Sequence, residues 1–339
     1  MELLKYISRR VLFLFILVFG ITSMVFILTQ LVPGKPELAY LSQRNLSDKE
    51  VVAAFRARWG LDQPLYIQYF KYMGNLTRGD LGTSFRTNRP VLVDLKQYLP
   101  ATIELALVAI IIATFFGILF GVLSATWPNS FIDHFLRTIS VTGVSIPSFW
   151  LALLVLYVFY FHLGWSPGPG RIGAWSTPAD PITNFYIIDS IIQKRWDILK
   201  ESLQHLLWPA LVLGAFTMGL ITRTNRSSLL EAMSMDYIRT ARAKGLGKLA
   251  VVTRHAFGNA FIPVITVIGL GFGNLLGGAV LVETIFSWPG IGMYAYRSAV
   301  SLDYPAITGV SLLIAVNYVI INLIIDILYG IIDPRIRYQ

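Results

Sequence analysis

The sequence predicts an all-α protein, a polytopic membrane helix bundle of about six transmembrane helices. Hydrophobic residues make up 55% of the 339 residues and charged residues only 14%, and the mean hydropathy is +0.62. An ordinary soluble domain carries about 25% charged residues, so this chain has more apolar surface than a soluble core of its size could bury. The apolar residues are also gathered into six long uncharged runs.

Each run is long enough to cross the hydrocarbon core of a bilayer as a helix, which takes about 20 residues. The fourth run is the shortest and lies just inside the tolerated range of about 17 to 25 residues. The six runs are Val11–Val32, Leu105–Ile132, Thr138–Gly170, Leu206–Thr222, Ala256–Val282 and Tyr304–Ile325. They divide the chain into a first helix with its preceding end (1–32), an outside segment (33–98) and a core of five helices (99–339).

The first run could be mistaken for a signal peptide, because Lys5, Arg9 and Arg10 precede it. It is longer than the apolar core of a signal peptide, and no cleavage motif of small residues follows it before Pro33. We therefore predict that it is retained as a membrane anchor.

Basic residues in short loops predict the orientation of the helices. With six helices both termini lie on one side, and the opposite side holds Arg297, four basic residues in 163–203 and ten in 33–98. Loops longer than about 60 residues count little, so we predict that both termini are cytoplasmic. The basic residues on the side of the termini are Lys5, Arg9, Arg10, Arg137, Arg223, Arg226, Arg239, Arg242, Lys244, Lys248, Arg254, Arg335 and Arg337.

Several function classes lack their sequence signatures. The net charge of +9 is scattered over loops on both sides, without a basic stripe interleaved with aromatic residues, so no nucleic-acid partner is expected. The chain has no cysteine for a disulfide or thiolate site and no phosphate-binding G-x-x-x-x-G-K-[ST] motif. No histidine has a metal-ligand partner at i,i+4 spacing. The histidines are His134, His162, His205 and His255.

Intramembrane charge is sparse: Glu104 stands near the start of the second predicted helix, Glu283 at the end of the fifth and Asp326 in the sixth. All three lie toward run ends, which argues against a proton pump with paired carboxylates at mid-depth, and each is expected to find a partner. Glycines spaced for close helix contact occur at Gly117 and Gly121, and again at positions 269, 273 and 277. They fit packing within the bundle or against a partner.

Two outside segments have local order. In the first, a capping box at Ser47-Asp-Lys-Glu50 predicts a helix that ends at Gly60, and a second helix begins near Pro64 and ends before Gly74. These helices suit the lipid interface, a neighbouring subunit or a small cap on the bundle. The second segment, 163–203, is predicted to be a loop with interfacial tryptophans.

A basic polar segment, Asp236-Tyr-Ile-Arg-Thr-Ala-Arg-Ala-Lys-Gly-Leu246, followed by Arg254-His-Ala-Phe-Gly-Asn-Ala-Phe-Ile-Pro263, stands between two apolar runs. It resembles the cytoplasmic EAA loop of binding-protein-dependent ABC importer permeases, in the form seen in the dipeptide, oligopeptide and nickel subgroup (B-type subunit). Further matches extend the resemblance over nearly the whole chain: Gly79-Asp-Leu-Gly-Thr-Ser84, Leu99-Pro-Ala-Thr-Ile-Glu-Leu-Ala106, Glu283-Thr-Ile-Phe-Ser-Trp-Pro-Gly-Ile-Gly292, Asp303-Tyr-Pro305 and Asp333-Pro-Arg-Ile-Arg337.

The segment departs from the general importer motif. Where that motif has Glu-Ala-Ala, this chain has Arg239-Thr240-Ala241, and Pro263 comes five residues later than the general spacing. This variant is similar to the peptide subgroup, whose members also import oligosaccharides or nickel. The resemblance therefore implies uptake of short peptides, with oligosaccharides or nickel as alternatives.

The resemblance implies a bacterial or archaeal cell (inner or plasma) membrane permease without a catalytic site, cofactor or metal of its own. Its partners would be a second homologous permease, two ATP-binding subunits that hold ATP and magnesium, an extracytoplasmic solute-binding protein and the lipid bilayer. The coupling loop would be 227–258, with ATPase contacts at Asp236, Tyr237, Arg239, Thr240, Ala241, Arg242, Ala243, Lys244 and Gly245. Candidates for an outer gate or a binding-protein contact are Trp288, Pro289, Gly290 and Gly292.

The residues of this loop fit a docking helix. Ala241 and Ala243 would keep one face small enough to enter a groove, the basic residues would meet an acidic partner, and Gly245 would take the positive φ that ends the helix. A basic helix on anionic lipid is the alternative. Two other classes for the whole chain remain, a stand-alone secondary transporter or channel and a membrane enzyme, although neither signature is present.

Overall fold

The computed structural model describes residues 16–28, 37, 40–41 and 46–332, and in this part of the chain it is built from helices without a β-strand. The helices are α1 (Ile16–Leu28), α2 (Lys49–Trp59), α3 (Leu65–Leu76), α4 (Val91–Thr126), α5 (Phe131–Ser145), α6 (Ser148–Val155), α7 (Tyr186–Ile192), α8 (Trp196–Met233), α9 (Asp236–Ala243), α10 (Lys248–Gly277), α11 (Val280–Ile285), α12 (Ile291–Val300) and α13 (Tyr304–Ile332). The predicted all-α membrane bundle is confirmed.

The central helix is α8, which packs against α4 along much of its length and also against α5 and α10. Glycines permit these close crossings. A Cβ at Gly214 of α8 would lie 2.8 Å from the carbonyl oxygen of Ala109 in α4, and one at Gly117 of α4 would lie 2.7 Å from the Ile221 side chain. The pair Gly117 and Gly121 therefore packs within the bundle, against α8.

Four helices, α4, α8, α10 and α13, are long and apolar enough to cross a membrane. A fifth span is present if α5 and α6 count as one, and the first predicted run is described only over the shorter α1. Arg223 and Arg226, which we counted as loop residues, lie inside α8. The basic residues of both termini, Pro33 and the motif Asp333–Arg337 lie outside the described residues. The side chain of Asp326 is also not described.

The third predicted run is not one helix. The chain bends by 108° between α5 and the helix that starts at Ser148 and continues as a π-helix over Leu156–His162. Ile146 and Pro147 are extended at this break. The residue before a proline avoids the helical region, which explains the break in an otherwise continuous apolar run.

The first outside segment forms a cap on the bundle. Asp48, rather than Ser47, accepts hydrogen bonds from the first turn of α2, and Gly60 ends that helix with φ of +67°. The aromatic ring of Trp59 lies 4.6 Å from that of Phe85, in the loop that leads into α4. The predicted boundary at residue 99 falls inside α4, which starts at Val91, and α3 continues past Gly74 to Leu76.

Candidate functional site

The segment singled out by its basic residues forms α9, directly after the central helix. Its Ile238 and Ala241 side chains are 0% and 5% exposed and pack with Leu229, Val251 and Val252. This i,i+3 pair is the buried stripe of an otherwise polar helix. It ties α9 to the end of α8 and to the start of α10.

Burial of Ala241 corrects one detail of the sequence prediction. Ala241 faces its own bundle, so it cannot form the small face that enters a partner's groove. The outward face is made of the other predicted contact residues, all of them exposed: Asp236, Tyr237, Arg239, Thr240, Arg242, Ala243, Lys244 and Gly245. The predicted contact set is thus divided between an anchoring residue and a solvent-facing surface.

The exposed face of α9 is predominantly basic. Arg239 and Asp236 form an ion pair of 3.4 Å with side chains that are 80% and 94% exposed, so this pair contributes little to stability. Arg242 and Lys244 form no ion pair within the described residues. Apolar side chains border the basic ones: Met235, Tyr237, Leu246 and Leu249 are between 37% and 52% exposed. Such a mixed surface suits a protein partner with acidic and apolar groups.

Gly245 ends α9 as predicted. Its φ is +79°, and its amide donates to the carbonyl oxygen of Arg242 over 2.9 Å. Apart from Gly245 and its chain neighbours, no heavy atom of the described residues lies within 4 Å of the place where a Cβ would stand. Any cost of a larger residue here therefore comes from the backbone conformation and not from a clash.

A second contact links α9 to α10. The side-chain amide of Asn259 donates to the Tyr237 hydroxyl over 3.0 Å. Together with the Ile238 and Ala241 packing, this bond connects α9 to two membrane-spanning helices, α8 and α10.

A buried ion pair, which the sequence did not reveal, lies near the same end of the bundle. Asp133 of α5 is 0% exposed and accepts two hydrogen bonds of 2.8 Å from the guanidinium of Arg226 in α8. The Asn129 amide also donates to this carboxylate over 2.8 Å. The sequence signal was weak, since Asp133 is one acidic residue after a Pro-Asn-Ser turn, and Arg226 had been assigned to a loop.

The other end of the bundle contains Trp288, Pro289, Gly290 and Gly292. Trp288 is 1% exposed, and its indole nitrogen donates to the carbonyl oxygen of Ala101 over 2.8 Å. A Cβ at Gly292 would lie 2.6 Å from the Cα of Val280, so the two chain segments touch there. Trp288, Gly290 and Gly292 are buried in this chain, and Pro289 is half-buried. Their assignment to an outer gate or a binding-protein contact stays a prediction.

Glu283 organises the hydrogen bonds around Trp288. Its carboxylate accepts from the Thr102 hydroxyl over 2.6 Å and from the Met293 amide over 3.0 Å, and the Ile291 amide donates to Thr102 over 2.7 Å. Thr102 and Glu283 belong to two separate motifs of the sequence analysis, which therefore meet in space. We call this set, Thr102, Glu283, Trp288, Ile291 and Met293, the Trp288 network.

Two further motifs meet at the same end. The Asp303 carboxylate accepts from the Ser84 hydroxyl over 2.5 Å and from the amides of Phe85 and Arg86 over 3.0 and 3.1 Å. Next to it, the Tyr294 hydroxyl donates to Asp94 over 3.2 Å. Burial, and secondarily the Asp94 charge, raises the pKa of Tyr294, which keeps this hydroxyl protonated as a donor.

Of the three carboxylates that we expect to find partners, Glu104 and Glu283 have them, and the side chain of Asp326 is not described. Glu104 pairs with Arg171, a residue of the second outside segment, and also accepts from the Ile187 amide over 2.9 Å. Arg171 in turn lies 3.5 Å from the ring centre of Tyr186. The segment 163–203, predicted only as a loop, is thus fastened to Glu104 of α4 by the buried Arg171 guanidinium and by the Ile187 amide. Within the described ranges, no three His, Cys, Asp or Glu side chains are placed to hold a metal.

Comparison with known proteins agrees with this arrangement. Residues 117–338 match the family of binding-protein-dependent transport system inner membrane components, and residues 3–106 match the N-terminal family of the same membrane components. A probable D,D-dipeptide transport system permease protein of Escherichia coli is 45% identical over 95% of this chain and 94% of its own length. A dipeptide transport system permease protein of Alkalihalophilus pseudofirmus is 45% identical over 99% of this chain and all of its own.

A third relative, a di/tripeptide transport system permease protein of Pseudomonas aeruginosa, is 42% identical over 99% of this chain and all of its own length. The similarity therefore spans both ends of the bundle, α9 and the Trp288 network included. Together with the family match over residues 117–338, it shows that this chain belongs to the inner membrane components of binding-protein-dependent transport systems, the permeases of ABC importers.

Proposed function

We propose that the chain is one of two permease subunits of an ATP-driven importer that takes up short peptides from an extracytoplasmic binding protein. The cargo is supported by the relatives, which are named dipeptide, D,D-dipeptide and di/tripeptide permeases at 42% to 45% identity over nearly the full chain. The remaining partners are a second, homologous permease and two ATPase subunits. Those subunits hold ATP and magnesium, and this chain carries no cofactor or catalytic site.

The coupling role is supported by the way α9 packs on the bundle. Two side chains, Ile238 and Ala241, fasten it to the bundle, while its basic face is free for a partner. A nucleotide-driven movement of an ATPase subunit that holds this face would displace α9. Because α9 packs on the ends of α8 and α10, the displacement would turn the bundle between inward-facing and outward-facing states.

The cargo is tested by the ATPase activity of the assembled transporter in lipid vesicles. Its binding protein loaded with a dipeptide should stimulate ATP hydrolysis and drive accumulation of the dipeptide, whereas the empty binding protein should do neither. Stimulation by an oligosaccharide-loaded or nickel-loaded binding protein, without any by the peptide-loaded one, would retain the architecture and overturn the peptide cargo.

The orientation follows from the basic residues of the short loops and places α9 in the cytoplasm. The chain has no cysteine, so a single introduced cysteine is the one thiol of this chain that a reagent can label. Trp175, which is 100% exposed, lies in the second outside segment, and exposed Ser234 lies just before α9. In intact cells an impermeant thiol reagent should label Trp175→Cys, and it should label Ser234→Cys only after lysis. The reverse pattern would invert the proposed topology.

A further inference from the structure

A cavity of about 360 Å³ lies at the break between α5 and α6, and we call it the break cavity. Its volume is within the range of about 300 to 1,000 Å³ that is typical of small-ligand sites. Residues of α5, α6, α8 and α10 contribute to its wall. The lining residues are Gly143, Val144, Ser145, Ile146, Pro147, Ser148, Leu151, Val212, Leu213, Ala215, Phe216, Thr217, Asn274 and Leu275.

The break cavity lies at mid-depth in the bundle. A Cβ at Gly143 would stand 2.9 Å from the carbonyl oxygen of Ala215, and Ala215 is near the middle of α8 (Trp196–Met233). The neighbouring Gly214 meets Ala109 near the middle of α4 (Val91–Thr126). Toward the end of the bundle that carries α9, Asp133 and Arg226 join α5 to α8. Toward the opposite end, the ring of Phe159 stacks on that of Trp208 at 4.3 Å.

Four hydrogen-bonding side chains line this cavity without a partner among the described residues: Ser145, Ser148, Thr217 and Asn274. Thr217 is 2% exposed, and its hydroxyl makes no hydrogen bond to the described residues, whereas Thr222, five residues later, donates to the Met218 carbonyl oxygen over 2.8 Å. The first turn of α6 has no side-chain cap either. The cavity therefore offers hydroxyl and carboxamide groups that can hydrogen-bond to water or to a ligand that enters it.

Lipid is a poor neighbour for these polar groups. Non-helical backbone at membrane depth is tolerated only where it is covered by protein or lines a water-filled cavity, because hydrocarbon satisfies no polar group. Ser145, Ser148 and Asn274 are exposed in this chain alone, so their surroundings come from the assembly or from the translocation pathway.

We propose that the break cavity is a subsite of the translocation pathway that holds the main chain of a peptide in transit. Peptides that differ in side chains share their amide and carbonyl groups, and hydroxyl and carboxamide side chains offer both donors and acceptors to these groups. No charged residue lines the cavity, and the rest of the lining is aliphatic or aromatic, so no particular side-chain charge is selected. This inference rests on the proposed peptide import.

Thiol accessibility tests whether water and cargo reach the cavity. In the assembled transporter a charged methanethiosulfonate reagent should modify Asn274→Cys and Ser148→Cys, with modification read by mass on this chain. Ile111→Cys serves as the control, since Ile111 is 63% exposed near the middle of α4 but outside the cavity. A saturating dipeptide with its binding protein and ATP should slow modification of the two cavity cysteines several-fold.

A paired substitution measures the hydrogen bond itself. Thr217→Val removes the unpartnered hydroxyl at nearly constant volume and should raise the dipeptide concentration for half-maximal uptake about three- to tenfold, as loss of one hydrogen bond does. Thr222→Val, on the same helix and 1% exposed, removes a hydroxyl already bonded to Met218 and should leave uptake unchanged.

Absence of modification at both cavity cysteines, or modification that the dipeptide does not slow, would overturn the subsite and assign this face to lipid or to the second permease. Equal effects of Thr217→Val and Thr222→Val would also overturn it. Dipeptide uptake by the unsubstituted transporter separates the two hypotheses, because uptake without protection refutes the subsite alone, and absence of uptake refutes the proposed function.

Discussion

At one end of the bundle α9 exposes Arg239, Arg242 and Lys244 and is held by only two buried side chains, whereas at the other end Glu283 and Trp288 are at most 1% exposed. At the first end, Arg242 and Lys244 form no ion pair within the described residues. In the second, carboxylates and amides are paired across four stretches of sequence. The difference separates a surface that we propose to be a partner contact from a framework that holds its own segments together. It predicts opposite responses to substitution at the two ends.

The largest effect is expected in the framework. Trp288→Ala removes a buried indole and its bond to Ala101, which should lower the free energy of unfolding by about 3–5 kcal/mol. Thermal unfolding of the purified complex measures the change. Trp175→Ala is the control, since Trp175 is fully exposed and its loss should leave the unfolding temperature unchanged. Similar unfolding temperatures for both variants would refute the distinction between the two ends.

At the end of α9 we expect a smaller effect on the free energy of unfolding but a large loss of uptake. Gly245→Val forces a β-branched residue to a φ of +79°, at a cost of about 1–3 kcal/mol or a displacement of the helix. Uptake in vesicles should fall at least tenfold while the permease remains inserted. Gly247→Val is matched to it, because Gly247 has an ordinary φ of −63° and equally open space. Equal uptake by the two variants would exclude a coupling role for this turn.

The smallest effect on stability is expected on the exposed face of α9. Arg242→Glu should change the free energy of unfolding by less than about 0.5 kcal/mol, because the side chain is exposed and makes no ion pair within the described residues. It should nevertheless weaken copurification of the ATPase subunits or abolish the ATPase response to the loaded binding protein. Arg78→Glu, an exposed change on an outside segment, should do neither. Undiminished transport in Arg242→Glu would favour a helix that lies on lipid.

Local patterns in the sequence predicted the elements that local chemistry determines. The glycine that ends α9, the glycine that ends α2 and the long apolar helices all follow from conformational preference or hydropathy. The break at Pro147 was missed because the apolar run Thr138–Gly170 was interpreted as one helix, although it contains a proline preceded by a β-branched residue.

The residues that meet across the fold could not be paired from one sequence. Thr102 with Glu283, and Ser84 with Asp303, are separated by 181 and 219 positions, and nothing in either motif identifies its partner. The inward direction of Ala241 was missed for a related reason. In a helix as short as α9 the buried stripe is set by the neighbouring helices, which the local pattern does not contain.

In α9 the residues that maintain the fold, Ile238 and Ala241, are different from the exposed residues that could recognise a partner. The exposed residues can therefore change without loss of the fold. Under the proposed coupling role, a change on the outward face would alter which ATPase subunit is accepted and would leave the packing of the bundle intact. A cell with several transporters of this kind can therefore keep their subunits from mixing through a few surface substitutions, and the same exchange would let an engineered permease be matched to a chosen motor.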